Sequence, residues 1–412
     1  MMRQNEPVEG LSAKDLVRRN VILQSLLLMI ASALMLITIG VFMVFSATAP
    51  SSISAVSRDP STQLFAVALR QTIFAVLGIV GAGFLAFIPY KLLQRVALLP
   101  LLLGVVLQTL VLLQDGDGVA GNNNWLRIGN FALQPSEFLK LALIIWLAMM
   151  LARLTVDEIQ HYKTIIIPVL GFGASMGVVL LGGDVGTALV FVLIGAGMFW
   201  LAGLRSGQLV PPAFVFGFLA TILIVIRPSR LYRVGDYFTN LLTLPDQITP
   251  TQLDYALFAF GSGGVTGVGI GAGKEKWRDL AEAHTDFIFA VIGEELGMIG
   301  AFTIILLFLA LGWSLIRIAM NHHDRYAQLL AVGALLWLCG QAFANMWVVT
   351  GLLPVFGVPL PFVSMGGSSM MATVWMLGAV IATTLDVPGV RETFTARRGL
   401  VRQARALIRR KS

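Results

Sequence analysis

Charged residues are scarce in this chain: Asp, Glu, Lys and Arg make up 12% of its 412 residues, against 57% hydrophobic. A soluble domain carries about twice that charged share. Polar surface this sparse cannot cover the chain in water, and a mean hydropathy of +0.83 places it in a bilayer. Cysteine is nearly absent too. Cys339 stands alone, which excludes an intramolecular disulfide framework and says little about compartment. The His and Cys residues form no pair with structural zinc spacing. The glycine-rich stretch FGSGGVTGVGIGAGKEKW, Phe260–Trp277, lacks the Walker spacing of a nucleotide loop. No nucleotide, haem or zinc site is expected. No strong internal repeat is visible, which weakens an inverted-repeat transporter reading. The net charge of +7 fits membrane topology better than a nucleic-acid surface.

Long apolar runs are what the chain has instead. Runs of about 20 residues suit helical spans, because lipid tolerates no unpaired backbone. The pattern predicts an all-α integral membrane protein of about ten transmembrane helices. They lie near 21–45, 64–88, 96–114, 136–152, 164–182, 185–203, 209–226, 287–316, 326–350 and 367–386. The first run is too long for a cleaved signal peptide and is read as retained. Lys14, Arg18 and Arg19 precede the first span, and Lys91, Arg95, Arg153, Lys163, Arg205, Arg317 and Arg325 sit in alternate links. These basic residues fall on one side if both termini are cytoplasmic, as the positive-inside rule asks. Residues 1–20 are then a cytoplasmic segment, 21–386 the membrane domain and 387–412 a basic cytoplasmic tail attracted to anionic membrane lipids. The opposite face receives the longer connections. Residues 46–63 read as extended, 115–135 as a polar, glycine-rich loop, and 351–366 as a Pro/Gly-rich one. Residues 227–286 form a long extracytoplasmic loop before the eighth span, much of it ordered.

Ionisable residues near or within such spans are costly and mark function or pairing. Asp286 stands where the long loop enters the eighth span, as a helix cap or as a reactive carboxylate, with His284 placed to orient it. Glu294 and Glu295 lie about two turns further in, and a structural ion pair is the plain alternative to a functional role. In QPSEFLK, Ser136 can cap a helix on which Glu137 and Lys140 share one face. Their pairing is structural, or Lys140 serves a substrate. Trp125 and Arg127 suit phosphate or carbohydrate, or simple interfacial anchoring. Asp184 in GGDVGTALV reads as a cap, and Lys274 and Lys276 can meet phosphates. Together these residues suit an anionic lipid substrate, with a carboxylate left for proton abstraction.

Five stretches in order carry a more specific signal: NWLRIGNFALQPSEFLKLAL, GGDVGTALV, GSGGVTGVGIGAGKEK, EAHTDFIFAVIGEELGMIG and QAFANMWVVTGLLPVFGVPLPFVSMGGSS. They resemble the SEDS family (shape, elongation, division and sporulation). EAHTDF, in place of the EQHTDF common in RodA-like members, tilts the resemblance towards the FtsW-like branch. The chain departs from the family pattern at Ala281, at Gly182-Gly183-Asp184 and at Gln252 with Tyr255-Ala256. The resemblance implies a peptidoglycan glycosyltransferase of the bacterial cytoplasmic membrane that polymerises undecaprenyl-linked lipid II into β-1,4 glycan. It implies Asp286 as general base and Glu137 and Lys140 as substrate residues, with Ser364 and Ser368 in the last motif beside them. It also implies a class B penicillin-binding protein partner and other division proteins at the septum. A divalent cation, Mg or Mn, is an alternative to lysine for balancing the leaving diphosphate. The competing readings are a RodA-like elongation or sporulation polymerase, a lipid II flippase or transporter, and a division scaffold without chemistry.

Overall fold

A computed structural model describes residues 13–58, 65–114, 124–128, 131–226, 228–240, 250–277 and 280–392. The basic tail from 393, the N-terminal segment to 12, and residues 59–64, 115–123 and 241–249 of the expected loops lie outside the described residues.

The chain is a helical bundle. The spanning helices are α1 (Ala13–Ala47), α3 (Ala66–Phe87), α6 (Pro135–Ala152), α8 (Tyr162–Leu181), α9 (Val185–Ala202), α10 (Ser206–Val225), α14 (Gly297–Asn321), α15 (Arg325–Val349) and α16 (Gly367–Leu385). Among the described residues these nine are long and apolar enough to cross a membrane. The pair α4 (Tyr90–Val96) and α5 (Leu98–Leu113), bent by 51°, supplies a tenth, and the short α7 (Val156–Ile159) lies in the link between α6 and α8. The bounds of the spans fall within a few residues of the apolar runs, except that α1 begins at Ala13, not near 21, and the bent pair at Tyr90, not near 96. Helix α6 is buried along most of its length and, with α9, α15 and α16, forms the interior. Helices α3, α8 and α10 turn most of their apolar surface outward, as lipid-facing helices do. Close helix approach relies on small residues. A Cβ on Gly378 of α16 would lie 2.6 Å from the Ala82 carbonyl of α3.

Alternation of the spans gathers the long connections at one end of the bundle. Residues 46–63 were expected to be extended, but Ala49–Arg58 forms a helix, α2. Its Ser and Ala residues do not oppose helix formation, and Pro50 sits in the first turn, where its missing N–H has no helical partner to lose. The polar loop before α6 closes in a small hairpin, β1 (Leu126–Ile128) against β2 (Phe131–Leu133), with Arg127 opposite Ala132. The long loop contains α11 (Pro228–Asn240), α12 (Gln252–Gly263) and a 3-10 turn at Glu275–Trp277. Three expectations about helix ends change. The eighth span is not continuous: α13 (Ile288–Glu295) stops and α14 restarts at Gly297, which has φ +64°, a value that favours glycine. Phe287, not Asp286, occupies the cap position of α13. Gln134, not Ser136, occupies the cap position of α6, without a side-chain capping bond, because Pro135 takes the first helical position.

Candidate active site

The break in the eighth span is closed by the glycine-rich loop. The amides of Val268 and Gly269 donate to the carbonyls of Glu294 and Glu295 at 3.0 Å, and Met298 N–H donates to Gly264 O at 2.9 Å. Both glutamate side chains are buried and also face the loop. Glu294 accepts from the backbone N–H of Lys274 at 2.6 Å, and Glu295 from that of Gly271 at 3.1 Å. Glu295 is ion-paired with Lys276, and Ser46 at the end of α1 donates to it at 2.7 Å. Lys276 is therefore occupied and buried, not poised for a phosphate, whereas the Lys274 side chain is exposed. Hence Glu294, Glu295 and Lys276 fix the loop to the span.

Asp286 lies at the other end of α13, half-buried, in a turn built on unusual backbone. Glu282 and Phe362 are the described non-glycine residues with positive φ, at 57° and 65°. Each costs on the order of 1–3 kcal/mol and persists only where its surroundings over-determine it. Here the two strained segments hold each other. Met365 N–H donates to His284 O at 2.9 Å. Ser364 Oγ donates to Thr285 O at 2.6 Å and accepts from Leu360 N–H at 2.7 Å. Gln71 of α3 bonds both Ser364 O and Gly366 N–H. Ser364 thus spends its hydroxyl on the backbone, and Ser368 Oγ accepts from Gln134 N–H at 3.0 Å, at the start of α6. Burial holds the His284 imidazole below the usual histidine value, against the pull of Glu282.

Lys140 and Glu137 are both buried and paired at 2.9 Å. Lys140 also donates to Gln341 Oε1 at 2.9 Å and lies 5.0 Å above the Trp337 ring. Glu137 Oε2 and Ser136 Oγ are buried without a partner. Asp184 caps α9 through Thr187 N–H at 2.9 Å, and Asn124 Nδ2 donates to its other oxygen at 2.8 Å. Burial pushes the Asp184 carboxyl above the usual range, opposed by the Thr187 bonds and by Lys140. Trp125 and the Arg127 side chain are exposed on the hairpin.

One segment without regular secondary structure, 354–360, joins these groups. A Cβ on Gly186, two residues past Asp184, would lie 2.0 Å from Phe356 O. Gly357, with φ +69°, faces Asp286: a Cβ there would be 3.4 Å from Oδ2. Asn345 of α15 donates to Asp286 O at 2.7 Å and to Val358 O at 2.8 Å. Gln341, one turn earlier, donates to Pro359 O at 2.8 Å. Sequence reading missed Gln341, Asn345 and Gln71 as site residues. Their signal was polar amides on otherwise apolar helices, two of them four residues apart on α15. The arrangement sets a carboxylate, a lysine and a hydroxyl-rich backbone turn at the loop-rich end. That set can take a proton from a hydroxyl and balance an anion. Among the described residues, no three His, Cys, Asp or Glu side chains form a group able to hold a metal ion.

Comparison with known proteins gives a consistent result. The family model described as cell cycle protein (FtsW/RodA/SpoVE) matches residues 26–386. Stage V sporulation protein E of Bacillus subtilis is 36% identical over 363 residues, covering 86% of this chain and 95% of that protein. The protein named Probable peptidoglycan glycosyltransferase FtsW of Trichlorobacter lovleyi is 37% identical over 368 residues, covering 86% and 91%. Among solved structures, a chain of a peptidoglycan synthase complex that coordinates polymerization and crosslinking superposes with a TM-score of 0.65 at 25% identity, covering 85% of this chain and 97% of that one. Rod shape determining protein RodA of Thermus thermophilus superposes with a TM-score of 0.63 at 24% identity, covering 87% and 96%.

Proposed function

The chain belongs to the FtsW/RodA/SpoVE family of cell cycle proteins, and from that premise we propose that it is a peptidoglycan glycosyltransferase polymerising lipid II, with Asp286 as its general base. It is a multi-pass membrane enzyme of cell-wall synthesis. The loop-rich end faces the extracytoplasmic side and both termini the cytoplasm, since the short links at the other end hold Lys91, Arg95, Arg153, Lys163, Arg205 and Arg325. The observation that carries the assignment of residues is the shared segment 354–360: Gly357 lies against the Asp286 carboxylate, and the amides that hold the next two carbonyls also bond the Asp286 backbone and the Lys140 ammonium.

In the reaction, the 4-hydroxyl of the GlcNAc on one lipid II attacks the anomeric carbon of the growing glycan. A new C–O bond forms, the bond from that carbon to the lipid diphosphate breaks, and the hydroxyl proton passes to Asp286. Attack from the face opposite the leaving group inverts the α-linked diphosphate to a β-1,4 glycosidic bond. The undecaprenyl diphosphate departs with its electron pair, and Lys140, with the exposed Arg127 and Lys274, balances its charge. A Mg or Mn ion bound to the diphosphate would supply the same charge balance; among the described residues no three His, Cys, Asp or Glu side chains are grouped to hold it. The transpeptidase partner is a class B penicillin-binding protein, and the FtsW-like motifs favour the division septum as the site of work. The decisive experiment incubates the purified protein with lipid II, with and without a cognate transpeptidase, and resolves the products by length. Polymer supports the assignment; lipid translocation without polymer would favour the transporter reading.

A further inference from the structure

The two amides on α15 do more than fill the interior. Gln341 and Asn345 are both buried, and apart from the bond Gln341 accepts from Trp337 their side-chain bonds run to one of the two reacting ends or to the segment between them. Gln341 Oε1 accepts from Lys140 Nζ at 2.9 Å and from Trp337 Nε1 at 3.1 Å, while its Nε2 donates to Pro359 O at 2.8 Å. Asn345 Nδ2 is shared between Val358 O at 2.8 Å and Asp286 O at 2.7 Å. The next residue back, Gly357, lies against the Asp286 carboxylate. A continuous chain of direct bonds therefore runs from Glu137 through Lys140, Gln341, the backbone of 358–359 and Asn345 to the residue that bears the base.

We propose that Gln341 and Asn345 are positioning residues that couple what Lys140 binds to where the Asp286 carboxylate stands. This rests on the reading of Lys140 and Asp286 given above. The physical basis is competition for one ammonium. Lys140 has three N–H donors, and two are engaged, by Glu137 and Gln341. An anion arriving at Lys140 takes the third N–H and, by drawing the ammonium towards itself, weakens the bond to Gln341. Weakening that bond frees Gln341 to shift, and with it the Pro359 carbonyl that its other end holds. The segment 357–359 has Gly357 at its head and an amide-held carbonyl at each following residue, so a shift at Pro359 reaches Asp286 within two peptide units. Buried hydrogen-bonded networks with discrete alternative pairings are what carry such coupling. The base would then reach its working position only when the diphosphate is in place, which guards against wasted proton transfer.

The test reads residue 286 directly and needs no turnover. In a Cys339→Ser background, Asp286→Cys is labelled with a small thiol reagent in detergent, with and without undecaprenyl diphosphate. Binding of that probe is measured separately by thermal shift. The labelling rate is expected to change by about fivefold on adding the probe, the population shift that one net hydrogen bond supports. Adding Gln341→Met should reduce that response to under about twofold while the probe still binds. Gln341→Glu keeps an acceptor for Lys140 but loses the donor to Pro359, and should abolish the response in the same way. If either variant binds the probe and responds as the parent does, the probe acts on residue 286 by direct contact and the coupling is wrong. If the probe binds the parent without altering labelling, the coupling is wrong as well. In the otherwise native chain, Gln341→Glu should lower kcat for polymerisation and leave KM for lipid II nearly unchanged; a parent that binds the probe yet makes no polymer would remove the enzymatic reading and leave the labelling result to stand alone.

Discussion

Removing the Lys140 ammonium is the sharpest probe of how the interior tolerates charge. Lys140→Met keeps the length and most of the volume of the side chain. It deletes the bonds to Glu137 and Gln341 and the contact over Trp337. Glu137 then loses the partner of its Oε1, and its Oε2 has none to begin with. Both residues are 1% exposed, so water cannot make up the loss. Breaking a buried pair from one side typically costs about 3–5 kcal/mol, against about 0–1 for a surface pair. In a chain of this size each kcal/mol lowers the unfolding midpoint by about 2 °C, so the drop should be about 6–10 °C. Glu137→Gln with Lys140→Met removes both charges and should recover at least half of it. Midpoints are compared in one detergent at one scan rate, since unfolding of such a protein is governed by rates. A single variant within about 2 °C of the parent would refute the argument, because a stranded carboxylate at this depth cannot be that cheap.

Asp286→Asn should cut glycan synthesis by about 100-fold or more, the scale of positioned proton transfer, with expression and lipid II binding retained. Near-normal polymer from that variant would end the assignment of the base. Asp184→Asn should stabilise the protein at pH 8 and do so less as the pH falls. A carboxyl raised by burial is stabilising below its unfolded value and loses that contribution as pH rises through its folded value, and the amide carries no such dependence. Asn124 can meet the change by turning its unpartnered Oδ1 to the new N–H₂; a pH-independent difference in midpoint would contradict this account. Lys276→Met should destabilise by about 3–5 kcal/mol, for it leaves the buried Glu295 charge without its counter-ion, although Ser46 and the Gly271 N–H still donate to it. Equal stability would mean that the loop is not held by that pair. For orientation, cysteines placed at Ser262 and Ser412 in a Cys339→Ser background are treated in intact cells with an impermeant thiol reagent, with labelling expected at 262 alone.

The spans were legible because hydropathy reports lipid exposure directly, and lipid forces each exposed run into a helix. The runs at 136–152 and 185–203 fell within a residue of α6 and α9. The breaks were less visible. Nothing in the apolar character of 287–316 distinguishes Leu296-Gly297 from a continuous helix. The signal was the pair Glu294-Glu295, whose need for partners could be met only by a segment folding back on them. At the site, Asp286, Glu137, Lys140 and Asp184 were visible as charges in an apolar chain. Gln341, Asn345 and Gln71 were not, because an uncharged amide changes hydropathy little and its partners are backbone carbonyls and amides far away in sequence. Lys276 misled for the opposite reason: a lysine beside glycines looks available for phosphate until the fold shows Glu295 and Ser46 against it.

The broken eighth span also sets the unit in which this protein can be rebuilt. The carbonyls of Glu294 and Glu295 at its break are satisfied by the amides of Val268 and Gly269 in the loop before it, and Gly267 and Gly297 approach so closely that a Cβ on Gly297 would fall 2.3 Å from the Gly267 nitrogen. Neither partner is complete without the other. A chimera that exchanges only the loop up to Trp277, or only the span from Ile288, would set a loop against a break it was not fitted to, and any misfit would cost buried backbone bonds within the membrane. Recombination between relatives should therefore succeed when Gly263–Gly300 travels as one cassette and fail when a crossover falls inside it.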